Sequence, residues 1–175
     1  TGIYIGSLEA FKNAAELVVA IPLILEKTAT ERFIVIGPGE FAPKIKKLAQ
    51  IYKPRLEYIE SVSRKEAMRL LRAAGYGYTP VTDCGLGFIG DCWGTGTPLI
   101  TTNKLDGFLN KDIDTLIAEN VYELPQTINS LLESDALFER MQHGGRKRYT
   151  ANFTAQAVGE EYLKVLQEVL KNTNK

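Results

Sequence analysis

The sequence predicts a single α/β domain with a doubly wound, mostly parallel sheet and helices on both of its faces. Short apolar runs alternate with helical patterns at close spacing, which is the order that produces parallel strands with crossover helices. The runs at 2–6 and 32–37 are continuously apolar, as expected of strands buried on both faces, whereas 55–60 alternates between apolar and polar residues. A chain of 175 residues is also long enough to bury a core within one domain.

The first half of the chain supplies three predicted strands and three predicted helices in alternation. The strands are expected at 2–6, 32–37 and 55–60, and the helices at 13–27, 43–52 and 63–74. Asn13 is the expected N-cap of the first helix, and Pro22 is expected to kink that helix or to restart it. Ser63 and Glu66 form a capping-box pattern at the start of the third.

The second half continues the alternation and ends in helices. Strands are predicted at 76–80, 97–102 and 115–119, with a glycine-rich helix between the first two and helical stretches at 124–134, 136–149 and 155–171. Residues 1–175 therefore form one predicted domain, within which 135–175 is a helical tail. Phe88, Trp93, Tyr76 and Tyr78 are expected to pack in the core, and the run "RKRY" at 146–149 is expected to be a solvated helix end.

Composition argues against several classes of partner. Lys and Arg together number 21, as do Asp and Glu, so no net charge recruits nucleic acid. No apolar run approaches the roughly 20 residues that span a bilayer, so no transmembrane segment is expected. Cys84 and Cys92 lie too far apart for a disulfide if they share a helix, which favours a reducing, cytoplasmic location.

Ligands of such sheets bind outside the carboxyl ends of the strands, where helix N-termini direct backbone amides. That rule selects the loops at 6–13, 37–40, 60–63 and 81–87. Helix positions Gly87, Gly90 and Gly94 either let an anion approach the backbone or allow close packing of the helix on the sheet, and the sequence leaves both open.

Common catalytic and nucleotide motifs are missing. The run "GPGE" lacks the third glycine of a dinucleotide fingerprint, and the chain contains no P-loop. The spacing of potential ligands indicates no metal site. His143 is expected to be solvated, and neither cysteine has a neighbouring histidine to act as its base.

One constellation is more specific. Asp83 and Asp91 are separated by seven residues and are followed by "GTGTP" and a strand. This order resembles the C-terminal domain of GT-B glycosyltransferases of the family-four type, which carry E-x7-E followed by G-[TK]-P. The segments "YIGSLEAFKNAAEL", "FIVIGPGE", "SRKEAMRLLRAAGYGYTPVTD" and the terminal helices resemble the same domain in the same order, so the resemblance covers nearly the whole chain.

The resemblance implies that the domain binds a nucleoside-diphosphate sugar of the UDP or GDP type as substrate, with no separate cofactor. A separate N-terminal domain would hold the acceptor, and transfer would proceed with retention. By this resemblance Asp83 would contact the sugar hydroxyls and Asp91 the ribose hydroxyls, while Lys12 would offset the charge of the departing diphosphate. The backbone of Gly85, Leu86 and Gly87 would face the diphosphate, and Gly6, Ser7 and Gly37 would line the neighbouring loops.

Three departures from the family pattern bear on activity. Both acids are Asp, whose side chain is one methylene shorter than that of Glu. The loop glycine is displaced to Gly85. Ser7 stands where the family usually has a diphosphate-binding arginine. A degenerate, non-catalytic binding or assembly module would explain these changes. An epimerase of the same architecture and an NAD-type oxidoreductase are further alternatives. The missing part of the protein could also place it at a membrane surface.

Overall fold

The computed structural model describes residues 1–80, 86–102 and 107–173, without the side chains of 171–173. Six strands are found in these ranges: β1 Gly2–Ile5, β2 Phe33–Ile36, β3 Leu56–Ile59, β4 Tyr76–Thr79, β5 Leu99–Thr101 and β6 Leu116–Ile117. The α-helices are α1 Ala14–Lys27, α2 Ala42–Ile51, α3 Arg64–Ala73, α4 Leu86–Thr95, α5 Leu124–Leu132, α6 Asp135–Asn152 and α7 Ala155–Thr173. A 3-10 helix, Ala10–Lys12, precedes α1.

The six strands form one parallel sheet in the order β3-β2-β1-β4-β5-β6. This confirms the predicted doubly wound fold. The chain winds outward from β1 in one direction, then returns to β4 beside β1 and winds outward in the other. The reversal point therefore lies between β1 and β4.

Alternating strand residues divide the apolar interior between the two faces of the sheet. Tyr4, Val35 and Tyr78 pack with α1 residues on one face, whereas Ile3 and Ile34 pack with α3 and α4 residues on the other. Burial on both faces explains why β2 is continuously apolar, whereas β3 at the sheet edge is half-buried and includes Glu57. Tyr76, Tyr78, Phe88 and Trp93 are all buried, which confirms their predicted packing role.

Helix starts follow the predicted signals in part. The side chain of Ser63 accepts a hydrogen bond from the amide of Glu66 at 3.2 Å, so the predicted cap of α3 is confirmed. Asn13 occupies the N-cap position of α1 in a left-handed conformation, φ 53°, without a side-chain cap bond. The α1 helix continues through Pro22 rather than restarting there.

The run at 146–149 is a solvated helix end only in part. Arg146 and Lys147 are exposed, whereas Arg148 and Tyr149 are half-buried. The run lies inside α6, where the Arg146 guanidinium donates to the carbonyl of Thr95 at 3.3 Å and that of Arg148 to the carbonyl of Phe108 at 2.9 Å. A Cβ on the adjacent Gly145 would lie 2.7 Å from the Trp93 ring. Glycine thus lets α6 pack closely on α4, which draws the neighbouring arginines into tertiary contacts.

The terminal helix α7 carries an exposed apolar stripe. The larger exposed apolar residues of this helix are Val158, Tyr162, Leu163, Val165, Leu166, Val169 and Leu170. Their spacing of three and four residues places them on one side, and charged residues occupy the other. In the described part of the chain, no helix is long and apolar enough to cross a membrane.

Candidate functional site

The strand order reverses between β1 and β4. In open α/β sheets the diverging loops at such a reversal leave a crevice at the carboxyl edge, and ligands bind there. The loop after β1 and the N-terminus of α4, which follows β4, both lie at this edge. Gly6, Ser7, Lys12, Leu86 and Gly87 are thus brought to one region by the topology.

Glycines let the loops after β1 and β2 pack directly on each other. The Gly6 amide donates to the carbonyl of Ile36 at 2.9 Å, and a Cβ on Gly37 would lie 1.9 Å from the Gly6 carbonyl oxygen. Gly37 also has φ +146°, where a side chain is strained. A Cβ on Gly6 would meet the Tyr4 hydroxyl at 2.9 Å. Backbone packing therefore requires Gly37, whereas a side chain on Gly6 would displace the Tyr4 hydroxyl.

A buried tyrosine of β1 holds the backbone of the loop that follows this strand. The Tyr4 hydroxyl donates to the Ser7 carbonyl at 3.0 Å, and burial raises the pKa of Tyr4 to about 12. Lys12 ends the 3-10 helix immediately before α1, with its ammonium 5.4 Å from the Phe11 ring centroid. Because Phe11 is 61% exposed, this cation and ring lie at the solvent side of the crevice.

Glu16 joins three loops at the same edge, a role that sequence analysis did not predict. Its carboxylate accepts from the Asn13 amide and the Tyr78 hydroxyl, each at 2.9 Å, and from the Thr102 hydroxyl. The Asn13 amide also donates to the carbonyl of Pro80 at 3.2 Å. Burial, followed by the negative charge of Glu16, raises the pKa of Tyr78 well above its ordinary value. The loops after β1, β4 and β5 are thereby linked.

The glycines of α4 differ in their surroundings. No described atom lies within 4 Å of the position that a Cβ would take on Gly87 or Gly90, whereas a Cβ on Gly94 would lie 3.0 Å from the Tyr149 ring. Close packing therefore accounts for Gly94, whereas the described residues show no such contact at Gly87 or Gly90. Gly87 and the neighbouring Leu86 are exposed at the helix start.

Asp91 lies four residues after Gly87 and so on the same face of α4. Its carboxylate is paired with both terminal nitrogens of the Arg64 guanidinium, one of them at 2.5 Å. The Asp91 side chain is 20% exposed and that of Arg64 is 70% exposed. The hydrogen bond to Asp91 raises the pKa of Arg64. Sequence analysis predicted Asp91 as a site residue and missed its partner.

Other candidate groups contribute less. Asp83, Cys84 and Gly85 lie outside the described residues. Burial raises the pKa of the Cys92 thiol well above its ordinary value, which makes this cysteine a poor nucleophile. Throughout the ranges that the structure describes, no three His, Cys, Asp or Glu residues are grouped to hold a metal ion.

Comparison with curated proteins identifies a glycosyltransferase relative. The chain is 23% identical over 178 residues to the capsular polysaccharide biosynthesis glycosyltransferase CapM of Staphylococcus aureus, a match that covers 97% of the chain and 46% of CapM. The chain thus spans about half the length of this relative. No protein-family model matches the sequence.

Solved structures share the fold. A mutant of S. aureus TarM, crystallised with fondaparinux, α-GlcNAc-glycerol and UDP, superposes with a TM-score of 0.76 at 16% identity, covering 93% of the chain and 34% of TarM. The C-terminal domain of the group 1 glycosyltransferase LpcC from Francisella tularensis gives 0.72 at 16% identity, with 88% and 85% covered. The chain has the fold of the C-terminal domain of GT-B glycosyltransferases.

Proposed function

We propose that this chain binds a nucleoside-diphosphate sugar of the UDP or GDP type and forms the donor half of a glycosyltransferase. The observation that carries the proposal is the topology, which brings the loop containing Lys12 and the exposed start of α4 to the carboxyl edge of the sheet where the strand order reverses. The UDP present in the TarM crystal supports the ligand class for this fold. An N-terminal acceptor domain, outside this sequence, would complete the enzyme.

In the proposed reaction, negative charge develops on the diphosphate. As the bond between the sugar's anomeric carbon and the diphosphate oxygen breaks, negative charge grows on the nucleoside diphosphate. The Lys12 ammonium and the amides at the α4 N-terminus, including that of Gly87, would stabilise this charge. Asp91 would hold the ribose, and Asp83 the donor sugar. Retention at the anomeric carbon is part of the proposal and follows from the family resemblance.

A non-catalytic binding module is the second candidate. It is favoured by Ser7, which supplies no cation where the family usually has arginine. A lost charge-assisted bond weakens binding by about ten- to a hundredfold. If the site has degenerated at Ser7, a Ser7→Arg change should tighten nucleotide binding by about that factor.

Calorimetric titration with UDP and with GDP tests the donor site. One nucleotide should bind saturably, and Lys12→Ala or Asp91→Ala should weaken it by about tenfold or more, since each removes a charged contact. Lys27→Ala is the matched control, because Lys27 ends α1 at the opposite edge of the sheet. NAD should produce no saturable heat.

Other binding results would favour an alternative function or contradict the proposal. Tighter binding of NAD than of either diphosphate would support the oxidoreductase alternative. Absence of binding at millimolar UDP and GDP would contradict the donor site in this chain. An equal effect of Lys12→Ala and Lys27→Ala would remove Lys12 from the site.

A further inference from the structure

The pairing of Arg64 with Asp91 connects two elements at the proposed ribose position. Arg64 is the first residue of α3, and Asp91 lies in the second turn of α4. Both oxygens of the carboxylate meet both terminal nitrogens of the guanidinium, which is the two-pronged geometry that fixes each group relative to the other. Because the pair joins neighbouring helices, it also fixes the direction in which the carboxylate faces.

Burial makes the partner necessary. The Asp91 side chain is only 20% exposed, and an ionised carboxylate with little access to water is costly unless it is paired. The guanidinium is 70% exposed, so it retains water on its outer side and bears little of that cost. The interaction therefore serves the carboxylate more than the arginine.

The pair leaves acceptor capacity on Asp91. A carboxylate offers about four lone-pair positions, and Arg64 uses one on each oxygen. Two positions remain for hydroxyl donors, the number that the 2′ and 3′ hydroxyls of a ribose supply. Gly87 lies on the same helix face one turn earlier, and a Cβ at this position would meet no atom of another described element within 4 Å.

We infer that Arg64 is a positioning residue that orients the Asp91 carboxylate toward both ribose hydroxyls and so makes the site selective for ribonucleoside over 2′-deoxyribonucleoside diphosphates. This assignment rests on the proposed function. Fixing the carboxylate compensates for the shorter Asp side chain, which has less reach than Glu. A purely structural role, in which Arg64 only ties α3 to α4, would produce no such selectivity.

Selectivity between UDP and 2′-deoxy-UDP, and between GDP and 2′-deoxy-GDP, is the readout that separates the two roles. Calorimetry on the wild-type chain should give about tenfold tighter binding of the ribose form, the value of one hydrogen bond to a charged group. Arg64→Ala should reduce this ratio to near one by weakening the ribose form alone. Arg64→Lys keeps the positive charge but lacks the two terminal nitrogens that contact both carboxylate oxygens, so it should give an intermediate ratio.

Arg69→Ala is the matched control, because Arg69 lies on the same helix and pairs with Glu66 rather than with α4. It should keep the wild-type ratio. Asp91→Glu in the Arg64→Ala background should restore the preference, since the longer carboxylate reaches the ribose without help. Circular dichroism checks that each variant is folded. If Arg64→Ala does not fold, the ratio measured for Arg64→Lys decides between the positioning and the structural role.

The outcomes distinguish this inference from the proposed function. A wild-type chain that binds neither UDP nor GDP contradicts both. If the wild type binds and the Arg64 variants keep the wild-type ratio, the positioning role is wrong and the donor site stands. An unchanged ratio after Arg64→Ala combined with weaker binding of both forms would assign Arg64 a structural role only.

Discussion

Gly87 and Gly94 lie two turns apart on α4 and differ in what surrounds them. No described atom lies near the Cβ position of Gly87, whereas Tyr149 lies 3.0 Å from that of Gly94. Alanine stabilises a helix by about 1 kcal/mol relative to glycine, so a helix keeps an unpacked glycine at that cost. Access of a ligand to the backbone is a physical reason to keep Gly87.

Replacing Gly87 with alanine separates access from packing. We expect Gly87→Ala to raise the free energy of unfolding by about 0.5 to 1 kcal/mol and to weaken nucleotide binding, because the methyl group covers the helix start. Urea unfolding and calorimetry measure the two quantities. Gly94→Ala is the control and should leave binding unchanged. Higher stability without any loss of affinity in Gly87→Ala would contradict the access role.

Single residues also mark the limit of sequence analysis. The separation of four residues between Gly87 and Asp91 predicts a shared helix face. The partner of Asp91 could not be predicted, because Arg64 is 27 positions away and the contact depends on how α3 packs against α4. Asp83 was predicted from the same pattern, lies outside the described residues and stays a prediction.

One carboxylate on α1 links the loops at the carboxyl edge of the sheet. Glu16 binds Asn13, Tyr78 and Thr102, which belong to three different loops or strands. We expect Glu16→Ala to lower the free energy of unfolding by about 2 kcal/mol, because the buried Tyr78 hydroxyl loses its charged acceptor. Urea denaturation measures this loss.

Glu26→Ala provides the control on the same helix. Glu26 accepts a hydrogen bond from Tyr52 at the exposed end of α1, where such contacts contribute little. Its loss should change the free energy of unfolding by less than about 0.5 kcal/mol. Equal losses in the two variants would show that Glu16 does not link the loops.

The sequence predicted the strands and helices better than the contacts between them. Short apolar or alternating runs predicted all six strands because burial of strand residues leaves a local signal, and the capping box predicted the start of α3. The 3-10 helix at Ala10–Lys12 is a single short turn and gave no periodic signal. The contacts of Arg146 and Arg148 depend on how α6 packs, so local composition could not predict them.

Alkaline pH tests the packing of the molecule as a whole. Burial raises the pKa of Tyr4 to about 12 and also raises the pKa values of Tyr76 and Tyr78. Between the ordinary tyrosine pKa of about 10 and the folded value, the unfolded chain releases protons that the folded chain keeps. The free energy of unfolding should therefore fall as pH rises above 10, by about 1.4 kcal/mol per pH unit for each such tyrosine.

The tyrosine contribution can be isolated by substitution. Tyr4→Phe should reduce the slope of the unfolding free energy between pH 10 and about 12, although it also removes the bond to the Ser7 carbonyl. Tyr122→Phe, at a side chain that is 75% exposed, is the matched control. Urea unfolding at a series of pH values measures the slope. A slope that Tyr4→Phe leaves unchanged would contradict the contribution of this buried phenol.

The carboxyl edge of the sheet between β1 and β4 is where we propose that a nucleoside diphosphate binds. A crystal structure of the chain with the nucleotide that binds in calorimetry would test this proposal. We expect the diphosphate beside Lys12 and the amide of Gly87, with the ribose on Asp91. A nucleotide seated elsewhere, such as the groove lined by Lys111, Glu119 and Arg140, would contradict it.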